Sequence, residues 1–124
     1  MRWEVKPGEG NGLVYDFYVD LIRYVVLPES MQTVSLVERI FDDLWKLYLT
    51  NWPLCPLLDS DYESFSMIYC RAGDFVRLAY PGSDFGAFPD FDFICSFGGF
   101  GYSDVHAYLR DNARSESVKN YFGL

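Results

Sequence analysis

A chain of 124 residues is the size of one domain, and with half of its residues hydrophobic it has the material for a core. Ten basic against 18 acidic residues give a net charge of −8, which argues against direct binding of nucleic acid or anionic lipid, since both need Lys and Arg to displace counterions. Eleven Phe, ten Tyr and three Trp are more rings than a domain of this size is expected to hide, so some should reach the surface.

Arg2-Trp3-Glu4-Val5-Lys6 alternates and stops at Pro7-Gly8, which predicts a short first strand. Val14, Phe17, Tyr18, Leu21, Ile22 and Val25 fall on one face of a helix, with Asp16, Asp20 and Arg23 away from it. Leu27-Pro28 ends that helix, because the residue before proline is pushed out of the helical region. Ser35 and Glu38 have capping-box spacing for a second helix with the apolar face Val37, Ile40, Phe41, Leu44, Leu47 and Tyr48. Glu38, Arg39, Asp42, Asp43 and Lys46 take its other side and read as a solvated face with pairs such as Asp42–Lys46. Asn51-Trp52-Pro53 stops it.

After a proline-broken loop over 53–60 the period switches to two. Phe65, Met67 and Tyr69 alternate with Ser64 and Ser66, Arg71-Ala72-Gly73-Asp74 reads as a hairpin turn, and Val76, Leu78 and Tyr80 continue the next strand. Beyond a turn-rich excursion over 81–89, Phe91, Phe93, Cys95 and Phe97 alternate with Asp92, Ile94 and Ser96 as another strand. Ser103 or Asp104 caps a last helix through about Asn112, and the tail from Arg114 is polar until Tyr121-Phe122. The expected fold is a small single α+β domain over 1–124, an antiparallel sheet of three to four strands on two or three helices, in the order β-α-α-β-β-β-α.

Catalytic chemistry finds little support. His106 is the only histidine and carries no local signature of a base paired with a serine or cysteine nucleophile, so it reads as a boundary residue. Gly98-Gly99-Phe100-Gly101 lacks the Lys and Ser/Thr that complete a phosphate loop, and Asp104 close behind it would repel phosphate. Asp59, Asp61 and Glu63 alternate, and on an extended segment they share a side where a hard cation could sit. The match to a calcium loop fails where Ser64 replaces the turn glycine and Cys70 replaces the bidentate glutamate. Cys55, Cys70 and Cys95 are odd in number and irregularly spaced, which argues against a disulfide framework or a zinc site and for a reducing, cytoplasmic setting. The short charged N-terminus is no signal peptide, and no run approaches the roughly 20 apolar residues that span a bilayer. No cofactor and no metal are expected.

What remains is a surface. Leu78 through Leu109 contains neither Lys nor Arg, and within it Asp84, Asp90, Asp92 and Asp104 interleave with Phe85, Phe88, Phe100 and Tyr102. Phe91, Phe93 and Phe97 are expected in the core by their period. Aromatic anchors within an acidic rim make a docking surface for a basic protein, with Asp59, Asp61 and Glu63 as further acidic contacts. In character the chain resembles bacterial immunity proteins, which are acidic, of one domain and without catalytic motifs. The expected function is a non-catalytic inhibitor that neutralises a basic toxin or effector. Alternatives are a phage-encoded anti-defence (anti-CRISPR-like) inhibitor, a small metal-dependent hydrolase using Asp59, Asp61 and Glu63, and a homo-oligomeric structural subunit. The sequence leaves the oligomeric state open.

Overall fold

A computed structural model describes residues 10–52, 61–95 and 102–124, and among them it contains six α-helices and no strand. The expected antiparallel sheet is therefore overturned: the described part of the chain is all-helical. The first expected strand, over residues 2–6, lies outside the described residues.

Helix α1 (Gly10–Val26) is the axis of the bundle, with α2 (Val34–Leu49) on one side and α3 (Tyr62–Ala79) on the other. A helix apolar on nearly every side belongs in the interior. In α1, Leu13, Val14, Phe17, Tyr18, Val19, Leu21, Ile22, Tyr24, Val25 and Val26 are all buried. Pro28 then begins a 3₁₀ turn, Glu29–Met31. The N-cap of α2 is Thr33, whose side-chain oxygen accepts from the Leu36 amide at 3.2 Å, so the cap lies two residues before the predicted Ser35. The helix ends before Asn51, which takes the left-handed conformation (φ 55°) that Asn tolerates.

Helix α3 runs unbroken through what the period of two divided into strand, turn and strand. Its buried residues are Phe65, Ile68, Tyr69, Ala72, Gly73 and Val76, a helical repeat, while Met67 of the supposed apolar face is exposed. Gly73 does not turn the chain. It makes room for the Phe88 ring, which a Cβ there would meet at 3.0 Å. The last expected strand is likewise a single helical turn, α4 (Phe91–Cys95), with Phe91 and Ile94 buried three residues apart. Phe93, predicted to face inward, is 43% exposed, and Phe97 lies outside the described residues. Helix α5 (Tyr102–Asp111) takes the place predicted for the final helix. It is followed by α6 (Glu116–Tyr121), in the tail read as polar until Tyr121-Phe122, whose cap Ser115 accepts from the Val118 amide at 3.3 Å.

Buried Gln32 ties these ends together. Its amide nitrogen donates to the Tyr24 and Asn112 carbonyls, both at 3.0 Å, and its oxygen accepts from the Arg114 amide at 2.6 Å and the Ser115 amide at 3.0 Å. All four hydrogen-bonding positions of the side chain are used, which is what permits its burial. Close by, the Tyr24 hydroxyl donates to the Leu109 carbonyl at 2.5 Å. Burial raises that phenol's pKa, keeping it a donor. Among the described residues, no helix is long and apolar enough to cross a membrane.

Candidate functional site

The acidic residues singled out by the sequence separate into two groups. Asp84 is spent on local structure: its side chain accepts from the Gly86 amide at 3.0 Å, and its own amide donates to the Val26 carbonyl at 2.8 Å. Phe85 and Phe88 are half-buried under the Arg77 guanidinium, which lies 4.7 and 5.8 Å from their ring centres. Cation–π contact and the Phe88–Gly73 fit fold this loop onto α3 and spend both rings on the chain itself. Tyr102 projects from the start of α5 with its ring 5.2 Å from Phe41 of α2. Asp59 and Phe100 lie outside the described residues.

The second group converges where α3, α4 and α5 meet. The Tyr62 hydroxyl donates to Asp92 at 2.7 Å, and the Tyr62 ring lies 5.3 Å from that of Phe91. These contacts bring the start of α3, with Asp61 and Glu63, onto the start of α4, with Asp90 and Asp92. The hydrogen bond to Asp92 is the main cause of the raised Tyr62 pKa. Phe93 lies 5.2 Å from Tyr108 of α5, one helical turn beyond Asp104. Tyr62, Asp92 and Phe93 are thus held together where α3, α4 and α5 meet, with Asp61 and Glu63 flanking Tyr62 in the chain, Asp90 at the start of α4 and Asp104 one turn before Tyr108 on α5. No Lys or Arg among the described residues pairs with any of the five. Glu63, Asp92 and Asp104 each stand in the first turn of a helix, where the helix dipole also favours them.

The metal reading of the Asp59–Glu63 segment rested on an extended backbone. Asp61 is instead the N-cap of α3 and Glu63 lies in its first turn, so the two do not share a side as they would on a strand. Among the described residues no three His, Cys, Asp or Glu side chains are grouped to hold a metal ion. His106, half-buried, packs between the rings of Phe41 at 5.9 Å and Phe122 at 5.3 Å.

A further cluster was hidden in residues that the sequence assigned to solvated faces. Asp16, Asp20 and Arg23 form one stripe on α1; Arg39, Asp43 and Lys46 form a matching stripe on α2. The two stripes face each other across a cleft of about 490 Å³ that Tyr15, Phe75 and Tyr80 wall on its apolar side. Asp20 is buried and accepts from Arg23 at 3.1 Å and from Arg39 at 3.3 Å. Asp42 pairs with Lys46 at 3.1 Å, as the spacing predicted. Asp43 is 7% exposed, shares a hydrogen bond with Asp20, and buries an Oδ2 that has no partner. Desolvation above all, then the hydrogen bond and charge of Asp20, push its pKa well above the usual carboxylate range, which favours its protonated form. Burial and the charge of Asp20 also raise Asp16. The signal for this cluster was legible as two i, i+4, i+7 polar stripes, but only the packing of α2 and α3 around α1 brings one stripe to face the other.

The surface also carries aromatic material that the pattern assigned to the core. Tyr48, placed by its spacing on the apolar face of α2, is 56% exposed, and its ring stacks at 5.5 Å on that of exposed Trp45, with exposed Leu49 beside them. Compared with protein-family models, curated proteins and solved structures, the chain matches none.

Proposed function

We propose that this protein is a non-catalytic acidic binding protein that inhibits a basic toxin or effector in the manner of an immunity protein, acting in the cytoplasm. One observation carries the reading: Asp92, bonded to the exposed ring of Tyr62 beside exposed Phe93, lies where α3, α4 and α5 meet, and neither it nor Asp61, Glu63, Asp90 and Asp104 at the starts of those helices has a cation partner among the described residues. Unneutralised carboxylates steer a basic partner and speed encounter, while partly exposed rings held by intramolecular contacts supply anchors whose ordering cost is already met. An anti-defence inhibitor that occupies a basic nucleic-acid groove would use the same chemistry, and the partner's identity separates the two.

The test is a photo-crosslinking residue at position 93 in the source cell, followed by binding kinetics with the purified captured protein. The reading requires a basic partner whose association slows as salt rises. An acidic or nucleic-acid partner, or turnover of a substrate by the chain alone, would remove it.

A second reading has its own observation. The Trp45–Tyr48–Leu49 surface of α2 is an exposed apolar patch of the kind that joins copies of one chain. Light scattering across a concentration series distinguishes a homo-oligomer, which Trp45→Asp dissociates, from a monomer, which that change leaves alone.

A further inference from the structure

We propose that the cleft between α1, α2 and α3 is a receptor for one organic cation, an ammonium or guanidinium group on an alkyl stem. The first argument is charge. Asp16, Asp20, Asp42 and Asp43 face Arg23, Arg39 and Lys46, so with every group ionised the cleft holds one negative charge more than it can neutralise. Arg23, through one terminal nitrogen with its buried Nε left unpartnered, and Arg39 pair with Asp20, and Lys46 pairs with Asp42. Asp16 and Asp43 make no ion pair among the described residues, and Asp43 keeps an unpartnered Oδ2 in the interior. Leaving a buried acceptor unsatisfied costs about 1–3 kcal/mol, so a ligand N–H that reaches this oxygen makes a hydrogen bond the free cleft lacks.

The second argument is shape. The cleft has a volume of about 490 Å³, within the range of small-molecule sites, and is far larger than a proton requires. Tyr15, Phe75 and Tyr80 give it the faces against which an alkyl stem or a delocalised cation rests. Tyr80 already holds one cation in this manner, the Arg23 guanidinium 5.4 Å from its ring centre. A metal ion fits less well, since no three ligating side chains are grouped for one among the described residues.

In the free protein the missing positive charge is the proton on Asp43. An entering cation replaces it: the O–H bond of Asp43 breaks, the proton passes to solvent, and the carboxylate pairs with the ligand. Binding therefore releases up to one proton and strengthens with pH until Asp43 is ionised in the free protein. The proposal does not depend on the ridge around Tyr62 and Phe93, and either can fail without the other.

The experiment titrates n-butylammonium, ethylguanidinium and Nα-acetyl-lysine methylamide into the full chain at constant ionic strength. The readouts are the Asp43 side-chain carbon resonance and calorimetry in two buffers of different protonation heat. Saturable binding is expected, with an affinity rising up to tenfold per pH unit between pH 6 and 8 and a proton released. Asp43→Asn should abolish the release and weaken binding at least tenfold while the helical circular-dichroism signal is unchanged. Tighter binding of the lysine amide than of butylammonium assigns the cleft to a side chain of a protein, and the reverse order assigns it to a free amine. A response that sodium chloride reproduces, saturable binding of butyrate instead, or binding that Asp43→Asn leaves intact would overturn the proposal.

Discussion

Replacing Asp43 by Asn should stabilise this protein at neutral pH, although it removes a buried group that makes a hydrogen bond. The raised pKa of Asp43 favours its protonated form in the folded state, whereas in the unfolded chain the group ionises once the pH exceeds about 4. Because its folded pKa is raised, its favourable contribution is complete below the unfolded value and is lost as the pH climbs towards the folded one. Each pH unit in that window is worth about 1.4 kcal/mol, so three units, from pH 4 to pH 7, set a ceiling of about 4 kcal/mol. Solvent entering the open cleft and rearrangement of Asp16 and Lys46 reduce this, and a gain of about 2 kcal/mol is the expected magnitude. Asparagine is close in shape and keeps a donor for Asp20. Urea denaturation of both proteins at pH 4, 5.5, 7 and 8 reads the effect as a shift in midpoint at constant slope. The two curves should nearly coincide at pH 4 and separate with pH, the variant being the more stable. Parallel curves, or a variant less stable throughout, would refute the assignment of a protonated Asp43.

Removing the partner carboxylate has the opposite sign. Asp20→Asn strips the counter-charge from Arg23 and from the 66%-exposed Arg39 side chain, and a loss of about 2–3 kcal/mol is expected in urea denaturation at pH 7. Gln32→Ala strands the Arg114 and Ser115 amides and should cost about 2–4 kcal/mol, with amide exchange at the α5–α6 junction accelerating most. Trp45→Ala, on an exposed α2 surface, should change stability by less than about 0.5 kcal/mol, where burial would have made it about 3–5.

The boundaries of α1 and α2 follow from apolar spacing and from Pro28, which is why the sequence places both within a few residues. The second half misled for a definite reason. Ser64 to Tyr69 alternates over six residues, too short a window to separate a period of two from one of 3.6, and Arg71-Ala72-Gly73-Asp74 has the composition of a turn. The buried set continues through Ala72 and Gly73 to Val76, so the small residues are there for close packing and not for reversal. Gly73 can be understood only with Phe88, which is fifteen residues away in the chain and in contact with it in space.

Site residues divide along the same line. Asp90, Asp92 and Asp104 were identified from their surroundings in sequence, and the fold adds Tyr62, bonded to Asp92, and exposed Phe93, packed on Tyr108. Asp84, Phe85 and Phe88 had the same local character, but Arg77 and Gly73 claim them. The Asp16–Asp20–Asp43 cluster was assigned to water because a polar stripe on an amphipathic helix ordinarily faces it; with α2 and α3 packed on α1, the stripe lines a cleft between helices instead.

The most direct test of the account is the association rate of the captured partner with wild-type protein and with Asp90→Lys/Asp92→Lys, measured at 20 and 300 mM salt. The charge-reversed protein should bind roughly tenfold or more slowly at low salt, and the difference should shrink at high salt as the charges are screened. Equal rates at low salt, with both proteins folded, would contradict the claim that this acidic ridge guides a basic partner.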